Sequence, residues 1–298
     1  MPTDEITAAA AGSWTLGDRA VHRMGFGSMR LTANPDRELA IRVLRRAVEL
    51  GVNHIDTAAF YFSPGGPLRV GTGPVRYATE LIRAALHPYP DDLVIATKVG
   101  PDYRTTAWSG ELTGPADLRR QVEENLRRLG RDHLDVVNLR IVRRPGDDSV
   151  AERFAALAEL RDAGLIRHLG LSNVRVDHLD EAQAIAPVVC VQNAYAVDTH
   201  RTSDELLRVC GERGVAFVPF FALAGAGREA GASAEHDAAV REIADAHGAT
   251  PHQVRLAWTL HQGPHVLAIP GTGDPEHLAQ NVAAGALRLS PDELARLG

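Results

Sequence analysis

Leu134-Asp-Val-Val-Asn-Leu139, Ser149-Val-Ala-Glu152 and Ile166-Arg-His-Leu-Gly-Leu-Ser172 read in order as a strand, a helix start and a second strand. The two outer runs are short, apolar and rich in β-branched residues, the pattern of strands buried on both faces. Between them Ser149 and Glu152 form a capping box, Phe154, Leu157 and Leu160 recur at helical spacing, and Gly164 marks the stop. Strand, helix, strand is the repeating unit of a parallel sheet.

The same unit extends in both directions. Upstream lie a strand near Met24-Gly-Phe-Gly27, then His54-Ile-Asp-Thr57 and Leu93-Val-Ile-Ala-Thr-Lys98; downstream lie Val188-Val-Cys-Val-Gln192, Val215-Ala-Phe-Val-Pro-Phe220 and Val266-Leu-Ala-Ile-Pro270. Helices intervene with their own punctuation. Asn34-Pro35 predicts a cap before Ala40, Leu44, Ala47 and Leu50, with Gly51 as the end. Thr202 and Glu205 predict another capping box, and Ser290, Pro291 and Glu293 open a short helix near the C-terminus. Eight such units without a linker predict an α/β chain folded as a (β/α)8 TIM barrel, one domain over residues 1–298. Residues 1–12 are expected to be a flexible tail, and Trp14 to Val21, with Leu16-Gly-Asp at its centre, a short N-terminal β-hairpin. A doubly wound dinucleotide fold would need a GxGxxG turn, and Gly25-Phe-Gly27-Ser-Met-Arg30 lacks the third glycine.

Composition narrows the function classes. The 298 residues are 45% hydrophobic and 23% charged, as in an ordinary globular protein. Acidic residues outnumber basic ones, 38 to 32, for a net charge of -6. That balance argues against a nucleic-acid or anionic-membrane binder that works through bulk charge. Cys190 and Cys210 sit in no CxxC or Cys/His spacing, so a disulfide framework is excluded and a reducing cytoplasm is the expected compartment. The acidic start, Met1-Pro-Thr-Asp-Glu5, lacks the basic and apolar regions of a secretory signal, and no window is long and apolar enough for a membrane span. No metal is expected: His252, His261 and His265 form no HExxH or three-ligand pattern. Gly71-Thr-Gly73 is not followed by the Gly-Lys-Ser/Thr of a phosphate loop. A monomer or weak homo-oligomer acting on a small molecule is the expectation.

In a barrel of this kind the chemistry sits where the strands end. Asp56, Lys98, Asn138, Arg140, Ser172, Asn173, Gln192 and Asn193 are polar residues that finish apolar runs. A lysine buried at such a place needs a counter-charge, and Asp56 is the obvious one; a structural ion pair is the plain reading of those two alone. Tyr61 adds chemistry. A phenol beside an ammonium is a suitable general acid, because the cation stabilises phenolate and eases proton donation to a developing alkoxide.

The motifs around these residues resemble the aldo-keto reductase family. Gly51-Val-Asn-His-Ile-Asp56-Thr-Ala-Ala-Phe-Tyr61 is similar to the signature around its catalytic aspartate and tyrosine, and Tyr89-Pro-Asp-Asp-Leu-Val-Ile-Ala-Thr-Lys98 to the strand bearing its lysine. Gly170-Leu-Ser172-Asn173-Val resembles the segment that holds the nicotinamide carboxamide; Ile269-Pro-Gly271-Thr272 with His277-Leu-Ala-Gln280-Asn281 resembles the adenosine end. The resemblance runs from about Trp14 to the C-terminus, and Asp135-Val-Val-Asn-Leu-Arg140 with Val218-Pro-Phe-Phe221 look most like the bacterial branch related to pyridoxal reductases. It implies hydride transfer from a nicotinamide cofactor to an aldehyde or ketone, with Tyr61 protonating the oxygen and Asp56, Lys98 and Arg140 at catalytic positions. It further implies a cofactor held by Gly27, Ser28, Asp56, Ser172, Asn173, Gln192, Phe220, Phe221, Leu223, Gly271, Thr272, His277, Gln280 and Asn281. Substrate would meet Met29, Tyr103 and Trp108. NADPH is expected over NADH, with His277 and backbone N–H groups at a helix N-terminus meeting the 2'-phosphate.

Two departures from the family pattern stand out. Arg140 occupies the place of the usual carbonyl-orienting histidine. Its permanent guanidinium has three available roles: donor to the carbonyl oxygen, bidentate grip on an anionic substituent, or partner of a rim carboxylate. Phe62 follows Tyr61 where the family has glycine, and an irregular loop of roughly fifteen residues leads to a helix near Tyr77. These departures keep open two alternatives: a non-redox isomerase or lyase that retains the nicotinamide site, and a cofactor-sensing regulatory protein.

Overall fold

Successive side chains on a strand point to opposite faces, so each buried run commits every second residue to one side. In the computed structural model, which describes residues 5–103, 110–111, 114–142, 148–197, 203–223 and 238–298, that rule fixes the interior. An antiparallel pair, β1 (Ser13–Leu16) and β2 (Arg19–His22), comes first, with Trp14 opposite Val21. The strands β3 (Phe26–Gly27), β4 (His54–Asp56), β7 (Val94–Val99), β10 (Leu134–Arg140), β11 (Ile166–Ser172), β12 (Val188–Gln192) and β13 (Ala216–Phe217) form one parallel sheet. The spatial order follows the chain order, β3 at one edge and β13 at the other.

The eighth expected strand, Val266–Pro270, is present as bridges. Val266 bridges to Phe217 and Ala268 to Met24, both parallel. Leu267 N donates to Phe217 O at 2.9 Å, and Ala268 N to Arg23 O at 2.8 Å, so this segment ties the two sheet edges together. The sheet is therefore curled and parallel in a TIM-barrel-like α/β fold.

Inside the curl, Leu16 and Val21 pack with Val94, Val136, Cys190, Ala216, Val218 and Leu267. Moving two residues along the same strand faces, Val136 gives way to Asn138 and Arg140, and Cys190 to Gln192. The interior is apolar at the N-terminal ends of the strands and polar at their C-terminal ends. Gly170 is required at this level: a Cβ there would lie 2.0 Å from Asn138 Oδ1 and 2.7 Å from Cys190 Sγ.

The connecting helices surround the sheet: α1 (Arg37–Glu49), α2 (Ala78–Leu86), α3 (Pro115–Leu129), α4 (Ala151–Asp162), α5 (Val176–Ile185) and α6 (Asp204–Glu212), each packed against the next. On α1, Ala40, Ile41, Val43, Leu44 and Ala47 form the buried stripe. Further helices span Ala238–His247, Pro251–His261, Pro275–Ala283 and Pro291–Leu297.

Several helix starts differ from their sequence reading. Asp36, not Asn34, caps α1, accepting from Leu39 N, while Asn34 Oδ1 accepts from Asp36 N at 2.8 Å. The Asn34-Pro35 pair thus makes the turn that delivers the cap. At α4 the Ser149–Glu152 box does not form. Ser149 Oγ accepts instead from Ala151 N at 3.1 Å and donates to the Glu181 carboxylate at 2.8 Å, which also accepts from Val150 N. Thr202 lies outside the described residues, and α6 starts after Ser203 without a side-chain cap. Ser290 and Glu293 do form their capping box. Residues Ala8–Ala11, placed in a flexible tail by the sequence reading, form a 3-10 turn whose Ala8 N donates to Leu50 O at 2.8 Å, with Ala8 and Ala11 buried.

Candidate active site

Asp56 is the last residue of β4, and Lys98 comes one short of the end of β7. Both side chains are almost wholly buried, and Lys98 Nζ lies 2.6 Å from Asp56 Oδ1 and donates to Thr57 O at 3.1 Å. Gln192, ending β12, donates Nε2 to the same Asp56 oxygen at 2.8 Å. One carboxylate oxygen therefore gathers an ammonium and an amide, which offsets the cost of burying it. Burial pulls the Lys98 pKa below its ordinary value, against the raising influence of Asp56, and the Arg140 guanidinium adds to the lowering.

Tyr61 enters from the segment after β4. Its ring centroid lies 4.6 Å from Lys98 Nζ, and the Phe60 ring meets it edge-on at 5.3 Å. The backbone holds it at both sides: Tyr61 N donates to Ala58 O at 3.0 Å and Ala78 N to Tyr61 O at 2.9 Å. Arg140, ending β10, donates Nη1 to Ser172 Oγ at 2.9 Å and lies 4.6 Å over the Phe220 ring. A cavity of about 250 Å³ joins Asp56, Tyr61, Lys98 and Arg140 to Gln192, and its walls include Met29, Phe60, Leu68, Phe220 and Phe221. Four polar residues from strand ends, two of them cationic, and four aromatic rings thus face one small volume.

The irregular loop after Tyr61 is more ordered in form than its sequence suggests. Its ends pair as β5 (Phe62–Ser63) and β6 (Arg76–Tyr77), antiparallel. Arg76 closes it, donating to the carbonyls of Thr32, Thr72 and Pro74 at 3.1, 3.0 and 2.9 Å. The loop brings Pro67 and Leu68 to the cavity wall.

A second cavity, of about 160 Å³, shares Arg30 and Gly271 with the first and extends to Leu223, His252, Thr272, His277, Gln280 and Asn281. The two form an elongated site with an aromatic, doubly cationic end and a polar far end. Next to the first lie Ser28 Oγ and Thr57 Oγ1, both buried without a hydrogen-bond partner among the described residues. Unsatisfied buried hydroxyls at a cleft are donors and acceptors that a ligand can engage. Two cavities joined at Arg30 and Gly271, with these two hydroxyls beside the first, fit a dinucleotide.

Most of the expected site residues meet at this cleft, with exceptions. Asn173 turns away: its Nδ2 donates to Ile141 O at 2.9 Å, from a left-handed backbone with φ of 61°. Ser172 Oγ accepts from Arg140. Among the described residues Gln192, and not Ser172 or Asn173, lines the cavity. Tyr103 is not part of that lining either; its hydroxyl donates to the Glu124 carboxylate on the flank of α3. Trp108 lies outside the described residues. At the far end, the N–H groups of Glu276 and His277 are taken by the Asp274 carboxylate at 2.7 and 3.2 Å. The helix N-terminus expected to receive a phosphate is therefore already capped by an anion. Arg30, His252, Phe60, Pro67 and Leu68 were not singled out by the sequence. Arg30 had the one usable signal, its place in the turn directly after β3.

The sequence of residues 23–298 matches the model of the aldo/keto reductase family. The chain belongs to that family. It is 41% identical to the pyridoxine 4-dehydrogenase of Escherichia coli (strain K12), over 97% of this chain and 98% of that protein. A crystal structure of an aldo/keto reductase from Klebsiella pneumoniae with NADP and acetate matches with a TM-score of 0.78 at 30% identity, covering 96% of this chain and 93% of the other. A second Klebsiella pneumoniae structure, in complex with NADPH, matches to the same extent. The protein is an NAD(P)H-dependent oxidoreductase of the aldo/keto reductase family, similar to enzymes that act on carbonyl and alcohol groups. Among the described residues no cluster of three or more His, Cys, Asp and Glu is arranged for a metal ion, and no helix is long and apolar enough to cross a membrane.

Proposed function

We propose that this chain is an NADPH-dependent carbonyl reductase in which Tyr61 donates the proton. The observation that carries this reading is the alignment of Asp56, Lys98 and Tyr61: a carboxylate 2.6 Å from an ammonium that lies 4.6 Å from the phenol ring, all facing one cavity. A reduced nicotinamide held in this cleft would supply the hydride for the carbonyl carbon. The oxygen gains negative charge in that step, and the Tyr61 hydroxyl gives it a proton, yielding the alcohol. Lys98 stabilises the phenolate left behind, and Asp56 keeps Lys98 protonated and in place. In the oxidative direction Tyr61 takes the alcohol proton.

Arg140 acts on the same oxygen. Ser172 Oγ and the Phe220 ring hold its guanidinium at the cavity wall, so it stabilises developing charge without reorganising. The cofactor would rest against Gln192, Phe220, Phe221, Gly27, Gly271, Leu223 and Thr272, with His277, Gln280, Asn281 and His252 around the adenosine. NADPH is favoured by the NADP(H)-bound Klebsiella pneumoniae relatives. The likeness to a pyridoxine 4-dehydrogenase, together with walls built from Phe60, Phe220 and Phe221, points to a flat ring bearing an aldehyde or hydroxymethyl group as substrate.

The test is NADPH oxidation with pyridoxal and a panel of aromatic and aliphatic aldehydes, alongside Tyr61→Phe. Turnover should fall on the order of 100-fold in that variant while NADPH affinity stays near normal. Near-normal turnover would remove Tyr61 from the mechanism, and failure of either nicotinamide cofactor to bind at millimolar concentration would remove the reductase reading altogether.

A further inference from the structure

Helix α3 carries an arginine that the reaction does not use directly and that is 8% exposed, far more buried than an arginine without a task. Arg128 reaches in three directions. Its Nη1 donates to Ala59 O at 3.0 Å, its Nη2 lies 2.6 Å from Glu124 Oε1, and its guanidinium carbon sits 3.4 Å from the Tyr77 ring centroid. Glu124 in turn accepts the Tyr103 hydroxyl on its other oxygen.

Each contact lands on a segment that frames Tyr61. Ala59 is in the turn whose Ala58 O accepts from Tyr61 N, and Tyr77 directly precedes Ala78, whose N–H donates to Tyr61 O. Tyr103 is 6.0 Å, centroid to centroid, from Phe60, which meets the Tyr61 ring edge-on. We propose that Arg128 is a positioning residue: its guanidinium clamps the turn that carries Tyr61 and the strand that follows the rim loop, and so holds the phenol beside Lys98. Only a planar fork stacks on a ring while donating to acceptors on two sides, so lysine is a poor substitute. Glu124 fixes the fork and offsets the burial of its charge, and Tyr103 fixes Glu124. The expected substrate contact of Tyr103 is replaced by this indirect role.

The inference rests on the reading of Tyr61 as proton donor, and the experiment separates the two. Single-turnover hydride transfer at saturating NADPH is measured for the intact enzyme, Arg128→Met, Arg128→Lys, Tyr61→Phe and Arg128→Met combined with Tyr61→Phe. Arg128→Met should lower the rate on the order of 10-fold or more, with NADPH affinity unchanged and Arg128→Lys recovering only part of the loss. The alkaline limb of its reduction profile should move to higher pH, because a phenol further from the Lys98 ammonium holds its proton longer. In the Tyr61→Phe background Arg128→Met should cost nothing more, since the group it positions is gone. An equal loss in both backgrounds, or no loss in either while Tyr61→Phe is crippled, overturns the inference and leaves the proton donor standing. Tyr61→Phe at near-normal rate overturns the proton-donor reading and the clamp with it. If Arg128→Met does not fold, Arg128→Lys and Glu124→Gln carry the same comparison.

Discussion

His54 sits on β4 two residues before Asp56, so it faces the same interior one level below the candidate active site. It is 3% exposed, and Gly25 leaves room for its ring: a Cβ there would lie 2.1 Å from His54 Nε2. Burial drives its pKa from 6.5 to about 4, with a contact to the His22 backbone opposing and the His22 charge reinforcing. The folded protein thus binds this proton more weakly than the unfolded chain. Its contribution is fully present above the unfolded value of 6.5 and is lost as pH falls toward 4. At about 1.4 kcal/mol per pH step, that interval amounts to roughly 3 kcal/mol, of which about 2 kcal/mol is already lost at about pH 5. His54→Phe keeps a ring in the Gly25 gap and removes the titration. Urea unfolding followed by tryptophan fluorescence at steps between about pH 7.5 and 5 should show the intact protein losing about 2 kcal/mol more than the variant. Whatever the remaining ionisable groups contribute is common to both proteins and cancels in the difference. Identical acid slopes would show that the ring is solvated or paired in the native state, contrary to the geometry.

Gly170→Ala should destabilise by about 1–3 kcal/mol, read as a lowered Tm, because Asn138 Oδ1, Cys190 Sγ and a backbone oxygen surround the new methyl; an unchanged Tm would mean that Asn138 rotates away freely. Replacing Arg140 by Ala should lower kcat more than it raises KM if the guanidinium acts on charge that develops during hydride transfer, and Arg140→His should restore part of the rate. A rise in KM alone, confined to anionic substrates, would assign Arg140 to substrate grip instead, and unchanged kinetics in both variants would make it a bystander.

The parallel sheet and the polar cleft at its C-terminal end were legible because burial imposes a local rule. Apolar, β-branched runs that end on a polar residue announce both a buried strand and the place where it meets solvent or chemistry, and Asp56, Lys98, Arg140 and Gln192 are found that way. Arg30 and His252 follow no such rule: Arg30 lies in a turn, with only its place directly after β3 to mark it, and His252 lies near a helix start with no local mark of facing the cleft. Tyr103 shows the opposite failure. An aromatic in a loop beside a pocket looks like a wall, whereas a carboxylate one helix away claims its hydroxyl.

The helix starts follow the same logic. A capping box is read from four residues, but the Glu181 carboxylate that captures Ser149 Oγ comes from the next helix. Strand ends carry this limit into the site itself. The period of two says that Ser172 and Gln192 face inward, yet their partners depend on register, which the sequence does not state. Between β11 and β12 the register shifts at Leu169/Gly170, and the shift sets Ser172 opposite Gln192. From those levels Gln192 reaches Asp56 and Ser172 receives Arg140. Two polar groups both expected at the cofactor are thereby divided, Gln192 toward the Asp56–Lys98 pair and Ser172 toward Arg140, and it is the long guanidinium at position 140 that reaches across to take the serine hydroxyl.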